Sequence, residues 1–464
     1  MNKNRCILHR RDFLSGLSGL ACGVGGLGLN ALFADQGNAE VFRKPHHEPR
    51  AKSLIFLNMQ GGPSQFETFT YKPAINKHAG KELEVIGGRN AGKFIMPHAF
   101  EMKPCGHAGH YASELFPHMA EMMDELCIIE SMYCEDNNHP GAQREILTGF
   151  NRRPMPCFGS WISYGLGSEN KDLPSFVYLA NGHHHGAGFL PAVHQGMPMG
   201  QGLRNVRPYV PKDEQRAQLD LIGKLHQLRD GPRDDRSELK ARIEAAELAF
   251  RMQMSAPKAV SFDDESPATL AAYGVTGTEK QPRLSRTLTE ETADFGAMCL
   301  TARRLVERGV RVVSVSVGGR RGWDQHGNLR ASLRRNAKII DQPTAALLKD
   351  LRQRGLLKDT LVLWGGEFGR TPTAENAKEA DGRNHFPRGY TMWLAGGGVK
   401  PGFTYGKTNE TGSEIVEDKV HVHDLHATLL HLMGLDHRKL TFRYGGRDQT
   451  IADINGKVVR GLFA

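Results

Sequence analysis

The stretch Thr360–Pro372, TLVLWGGEFGRTP, decides the fold. From Leu361 to Trp364 it is apolar, and two glycines end it. A short apolar run bounded by a turn reads as a strand covered on both faces. The next residues place a carboxylate, Glu367, and a guanidinium, Arg370, just past the carboxyl end of that strand. Open α/β sheets collect their sites at that edge.

Working outward, the spacing predicts a helix over 329–354 feeding this strand, and a helix over Thr289–Arg308 feeding the strand Val310–Val317 (VRVVSVSV). Ser53–Met59 (SLIFLNM), Cys127–Met132 (CIIESM), Phe176–Ala180 and Thr391–Ala395 read as further strands, and His423–Met433 as a helix. Apolar residues at helical spacing (Leu115, Met119, Met122, Met123, Leu126) predict another helix over Tyr111–Leu126. Residues 181–210, rich in Gly, Pro and His, read as an irregular loop. Lys212–Met254 is charged and helical in period, broken at Asp230-Gly231-Pro232, and reads as an exposed helical hairpin. Residues 255–285 are linker-like. The expected fold is α/β: a mostly parallel central sheet with helices on both faces, carrying a helical insertion at about 212–254.

Every strong polar motif follows one of these strands. GGPSQFET (61–68) follows the first, NNHPG (137–141) the next, GWDQHGN (322–328) the third and GGEFGRTP (365–372) the fourth, with NHFP (384–387) shortly after. Parallel strands would bring these loops to one edge. They would present Glu67, His139, Asp324, His326, Glu367, His385 and Arg370 together. Carboxylates mixed with imidazoles suit Zn²⁺, Mn²⁺ or Fe better than Ca²⁺. Each residue alone has a plainer role: Asp324 a loop cap, His326 a turn residue, Glu367 a helix cap or a partner of Arg370, His385 a packed loop histidine. Their shared position after successive strands is what favours a site. His183-His184-His185 lies in a glycine-rich loop, and three consecutive imidazoles cannot easily serve one ion. His421, His423, His426 and His431 fall on a helix and read as helix-face residues, His426 as a core histidine.

Composition sets the outer bounds. The chain has 464 residues, 39% hydrophobic and 24% charged, which excludes disordered and fibrous classes. Its 53 glycines and 21 histidines are unusual, and the histidines make metal chemistry worth testing. The net charge of +9, or +7 without the expected export signal, suits anionic substrates or an anionic surface. No long Lys/Arg run, aromatic-basic RNA motif or finger spacing supports nucleic-acid binding. Seven cysteines at irregular spacing, with no CxxC, describe neither a disulfide framework nor a zinc ribbon; one bridge is open.

Residues 1–35 read as an export signal. Arg10-Arg11-Asp12-Phe13-Leu14 is a twin-arginine motif, and a Gly-, Ala- and Leu-rich stretch follows to Phe33. Its glycines make it a poor spanning helix, and Cys22 a weak lipoprotein site. No other apolar run reaches 18 residues, so the mature protein is not expected to be integral to the membrane. Residues 36–52 read as a linker, and 53–464 as the α/β domain. The location expected is periplasmic or extracellular.

In this order the loops resemble the alkaline-phosphatase-like superfamily, and within it a bacterial, twin-arginine-exported, sulfatase-like family of unknown function. The resemblance runs from about Ser53 to the C-terminus. It also rests on LAGGGVKPGFTYGKT (394–408), HDLHATLLHLMGLDH (423–437) and TFRYGGRD (441–448). It implies metal-bound carboxylates and histidines at strand ends that hold a phosphate or sulfate ester. By order, Asp324, His326 and His385 resemble ligands of one metal, and Glu367 the acidic ligand of a second. Phe368 stands where relatives carry a histidine. Counting back from Leu147-Thr148-Gly149, His139 occupies the nucleophile position of sulfatases, and the Pro-Ser-Arg pattern is absent. Two roles for it are open, a phosphohistidine-type nucleophile or a metal ligand with water attacking. Gln65, Glu67 and Thr70 replace a histidine and two aspartates of relatives, with Glu67 keeping a carboxylate.

The whole reading expects a metal-dependent hydrolase of sulfate or phosphate esters. Its catalytic residues are His139 and Arg370, and its metal ligands Asp324, His326, Glu367, His385 and Glu67. The cofactor expected is a divalent ion, Zn²⁺, Mn²⁺ or Ca²⁺, and the substrate an anionic small-molecule or glycan ester. The alternative is an inactive descendant of the fold that binds an anionic glycan or a partner protein.

Overall fold

The computed structural model describes residues 44–85, 92–179, 186–199, 210–229, 243, 246–247, 250–251, 259–275, 288–317, 322–375 and 381–464. The expected export signal at 1–35, most of the hairpin beyond residue 229, and His183-His184-His185 lie outside them.

The strands that build the central sheet and the site are, in chain order, β1 (Ser53–Met59), β2 (Leu126–Tyr133), β3 (Phe176–Leu179), β4 (Met197–Met199), β5 (Val312–Val317), β6 (Thr360–Gly365), β7 (Gly369–Ala374), β8 (Arg383–Phe386), β9 (Tyr390–Gly396), β10 (Phe403–Tyr405) and β11 (Val420–His421). Among the described residues, nine of them build the central sheet in the order β10-β2-β9-β6-β1-β5-β3-β4, with β11 beside β2. β1 pairs in parallel with β5 and β6, β3 with β4 and β5, and β10 and β11 with β2. Only β9 runs against the rest, between β2 and β6. The mostly parallel sheet expected from the apolar runs is what the chain forms.

Six helices matter here: α1 (His139–Thr148), α2 (Phe158–Leu166), α3 (Lys212–Arg229), α4 (Leu288–Glu307), α5 (Leu329–Gln353) and α6 (Val422–Leu432). Strand side chains alternate between faces, and the two faces bury into two cores. Ile55, Leu57, Val313 and Val315 pack with α4 and α5 through Leu300, Leu333 and Leu347. Leu54, Phe56 and Val312 pack with α1, α2 and α6 through Ile146, Trp161 and Leu429. Each such side chain contributes about 1.5–3 kcal/mol by leaving water, so helices cover both faces. No helix among the described residues is long and apolar enough to cross a membrane.

Some expectations change. The helix over 111–126 is replaced by a strand His110–Ser113, a one-turn helix Pro117–Ala120 and a 3₁₀ turn Met123–Glu125. Pro117 has no N–H to offer and stands at the first position of its helix, where none is needed. Met119, Met122 and Met123 still reach the core, by turns rather than one helix face. The loop at 181–210 contains β4. The end of the linker is anchored: His46 N–H donates to Gly434 O at 2.8 Å, and the Arg50 guanidinium to Ala464 O at 2.7 Å. Cys105, Cys127, Cys134, Cys157 and Cys299 are all free thiols.

Candidate metal centre

The carboxyl ends of β1, β2, β5 and β6 share one edge, and four loops leave it. α1 begins at His139: Asn138 is extended at the cap and Pro140 sits in the first turn, where its missing N–H is harmless. This start aims the His139 ring over the sheet edge. After β6 the chain turns through Glu367 into β7, which folds back as a hairpin with β8 and sets Arg370 opposite His385. The loop with Asp324 and His326 is packed tightly from two sides. A Cβ on Gly61 (φ +115°) would lie 2.5 Å from Trp323 N, and one on Gly382 2.0 Å from His326 O. Glycine at both positions is what lets the three loops meet.

Four of the expected residues converge. Ligand atoms of His139, Asp324, His326 and His385 all lie within 4.8 Å of one another. Asp324 Oδ1 stands 3.2 Å from His139 Nε2, 3.1 Å from His326 Nε2 and 3.3 Å from His385 Nε2. The two facing nitrogens of His326 and His385 are 2.9 Å apart.

The opposite ring nitrogens are held from behind. His139 Nδ1 is 2.7 Å from Glu367 Oε1, His385 Nδ1 is 2.7 Å from Asn137 O, and His326 Nδ1 is 3.3 Å from Glu375 Oε2. A carbonyl only accepts, so His385 carries its proton on Nδ1 and turns a bare lone pair inward. His139 Nε2 is buried and faces Asp324 Oδ1. Inward-facing ring nitrogens around one carboxylate oxygen, with acceptors behind the rings, are the donor set a divalent cation needs once the protons between them are displaced. The residues present fit a metal ion.

Glu367 stands behind this set. Its carboxylate, 1% exposed, accepts from Gly61 N–H at 3.0 Å and from Gln143 Nε2 at 2.5 Å besides bonding His139. Arg370 is 0% exposed. It donates to Gly62 O at 2.8 Å, Arg383 O at 3.2 Å, Trp323 O at 3.1 Å, Asp324 Oδ1 at 2.8 Å and also to Gly61 O. Its donors are occupied by the loops. Glu67, expected as a ligand, is turned away: its 0%-exposed carboxylate pairs with Arg383 at 2.7 Å. The longer arm of glutamate reaches past the cluster to that guanidinium. Phe368 packs its ring against His139 and His385, at 4.9 and 4.5 Å between centroids.

The electrostatics follow. Burial opposes charge on His139, but the carboxylates of Asp324 and Glu367 on either side outweigh it and carry its pKa up to about 9. Burial also works against the Asp324 carboxylate, yet three imidazoles and Arg370 hold its pKa well below the usual range. His326 is raised by its bond to Asp324, and His385 lowered by burial.

Gln143, Glu375 and the Asn137 carbonyl escape the sequence reading. Gln143 lies four residues after His139, on the same helix face, so spacing could have found it; nothing in the sequence marks the other two. Among the described residues, the histidines of the C-terminal helical segment sit elsewhere. His426 is 2% exposed with Nε2 3.0 Å from Ile146 O, a core histidine as expected, and His423 bonds Gly149 O at 2.5 Å.

A family model described as "Protein of unknown function (DUF1501)" matches residues 51–463. No curated protein sequence matches the chain. Among solved structures, the sulfatase PsFucS1 from Pseudoalteromonas sp. aligns over 92% of this chain and 72% of its own, at 13% identity and a TM-score of 0.38. The lipoteichoic acid synthase LtaP from Listeria monocytogenes aligns over 92% and 80%, at 9% identity and 0.37. The phosphonate monoester hydrolase SpPMH from Silicibacter pomeroyi aligns over 75% and 71%, at 13% identity and 0.35. Likenesses this distant leave the chemistry to be argued from the site.

Proposed function

The chain belongs to the DUF1501 family, and we propose that it is an exported, metal-dependent hydrolase of sulfate or phosphate esters. One observation carries this: three imidazoles and a carboxylate from three separate segments of the chain converge within 4.8 Å. Three nitrogen donors with one oxygen favour Zn²⁺ or Mn²⁺ over Ca²⁺. In this reading the ligands are His139, Asp324, His326 and His385; Glu367 serves as an orienting base behind His139, and Glu67 is not a ligand.

A divalent ion held there would polarise an ester oxygen and lower the pKa of a water. The rest is work for the chain. Glu367 and the Asn137 carbonyl hold protons on the outer ring nitrogens of His139 and His385, which keeps the inner lone pairs free. Arg370 fixes Asp324 and balances its charge. Phe368 shields the backs of two imidazoles from water. The side chain of Asp324 is 41% exposed, so the cluster opens to solvent on that side, and an ester would approach there. His139, as a ligand, leaves attack to water rather than to a covalent step on the protein.

Export by the twin-arginine route, to the periplasm or beyond, belongs to the same proposal and is supported by Arg10-Arg11-Asp12-Phe13-Leu14 and the apolar stretch after it. So does the role of the segment at 212–254 as a specificity element. The occupied donors of Arg370 favour a second reading, in which the protein binds an anionic glycan or a partner without turning it over.

A panel of aryl sulfates and aryl phosphates, offered to protein loaded with Zn²⁺, Mn²⁺ or Ca²⁺, separates the two. Turnover that disappears in Asp324→Ala and His385→Ala supports the hydrolase. Metal-loaded protein inert to the whole panel leaves the binding reading.

A further inference from the structure

We propose that Glu67 and Arg383 form a positioning pair that sets the spacing of three of the four ligands, an inference that rests on the metal reading above. Both side chains are 0% exposed. Arg383 meets both carboxylate oxygens of Glu67, through Nε at 3.1 Å and a terminal nitrogen at 2.7 Å, and Ser64 Oγ donates to the same carboxylate. The guanidinium also bonds Thr371 O at 3.2 Å and Pro97 O at 3.0 Å.

The main chain of Arg383 does the positioning. Its N–H donates at 3.1 Å to the carbonyl of Gln325, the residue between Asp324 and His326. Its carbonyl accepts at 3.2 Å from Arg370, whose other terminal nitrogen holds Asp324. Two residues on stands His385, and the register of the hairpin shifts between them. That irregularity lets Arg383 bury completely while His385 faces the cluster. Moving Arg383 therefore moves the supports of Asp324, His326 and His385 together, and leaves only His139 on its own support, Glu367.

Stability alone does not explain the pair. Well-packed apolar residues in place of a buried ion pair are often no less stable, whereas removing one partner strands the other charge. What apolar residues cannot do is fix a guanidinium, and with it the backbone at 383, to within hydrogen-bond tolerance. This also accounts for the glutamate at 67. A carboxylate on a shorter arm would not reach as far toward Arg383.

The test compares wild-type protein with Glu67→Gln/Arg383→Met, which removes both charges at once. The readouts are zinc affinity by calorimetry, the visible spectrum of the cobalt-loaded protein, and the thermal midpoint without metal. The metal-free midpoint should fall, because Arg383→Met leaves the buried carbonyls of Thr371 and Pro97 without a donor; the pair as a positioning device further predicts zinc binding weaker by about 10–100-fold and shifted cobalt bands in protein that is still folded. Glu67→Asp, which keeps both charges and lengthens the contact, should shift the same bands with a smaller loss of affinity. Zinc affinity within twofold of wild type and an unaltered cobalt spectrum in both variants would overturn the inference alone. Wild-type protein that takes up neither metal would overturn the metal reading, and this inference with it.

Discussion

His326 Nε2 and His385 Nε2 face each other at 2.9 Å, though the two residues are 59 apart in the chain. His385 has its proton on the far nitrogen, bonded to Asn137 O. The contact is favourable when a proton on His326 Nε2 or a metal ion lies between the two nitrogens. Substituting either histidine by alanine should therefore weaken zinc binding by more than the roughly 10–100-fold that loss of an outer partner costs. Calorimetric titration of His326→Ala and His385→Ala checks this; wild-type affinity in either would remove that residue from the ligand set.

Glu367 acts one step further out. Glu367→Gln keeps the size but sets an amide against Gln143 and removes the charge that orients His139. A drop in zinc affinity of about 10–100-fold is expected, with little change in the fold. Circular dichroism and titration on the same sample decide it.

Arg370 should matter more to stability than to binding. Substituting Met would leave the carbonyls of Gly61, Gly62, Trp323 and Arg383 short of a donor in a buried place. The expected loss is on the order of 3 kcal/mol or more, from stranded acceptors rather than from the half-exposed Asp324. Urea unfolding of the metal-free variant measures it. A midpoint matching wild type would mean that the clamp is not structural.

The metal-free protein should also respond to pH in a definite direction. His139 has a pKa of about 9 when folded, above the ordinary value of 6.5. A raised pKa stabilises the fold fully below about 6.5, and that contribution is lost as pH climbs through about 9. Metal must displace the same proton, so zinc affinity should rise across that window. Thermal midpoints from pH 6 to 10, with and without zinc, test both halves. A metal-free midpoint that stays flat in wild type and in His139→Gln alike would contradict the assignment.

The frame of the molecule was legible because its strands are buried on both sides. SLIFLNM, VRVVSVSV and TLVLWG are apolar runs too short for helices, and each becomes a parallel strand within a residue or two of its expected bounds. Their order placed Asp324, His326, His385 and His139 at one edge, which is where they meet. What residue order cannot carry is direction. Glu67 follows β1 as closely as Glu367 follows β6, yet one carboxylate turns into the core toward Arg383 and the other toward His139. That difference is set by partners more than 200 residues away in the chain. Arg370 misleads for the same reason: an arginine at a strand-end turn reads as an anion holder until its five bonds to the loops are seen. The region 111–126 fails on a local point: Pro117 starts a helix where the spacing assumed one already running.

The central claim is that His139, Asp324, His326 and His385 hold a single divalent ion. The most direct test is the metal content of the protein, purified folded without chelator and analysed by mass spectrometry alongside a quadruple alanine variant. The account predicts about one zinc or manganese ion per chain, lost in the variant, and a thermal midpoint that falls when chelator strips the wild type. Wild-type protein with no bound transition metal, and a midpoint indifferent to chelator and to added zinc, would contradict it.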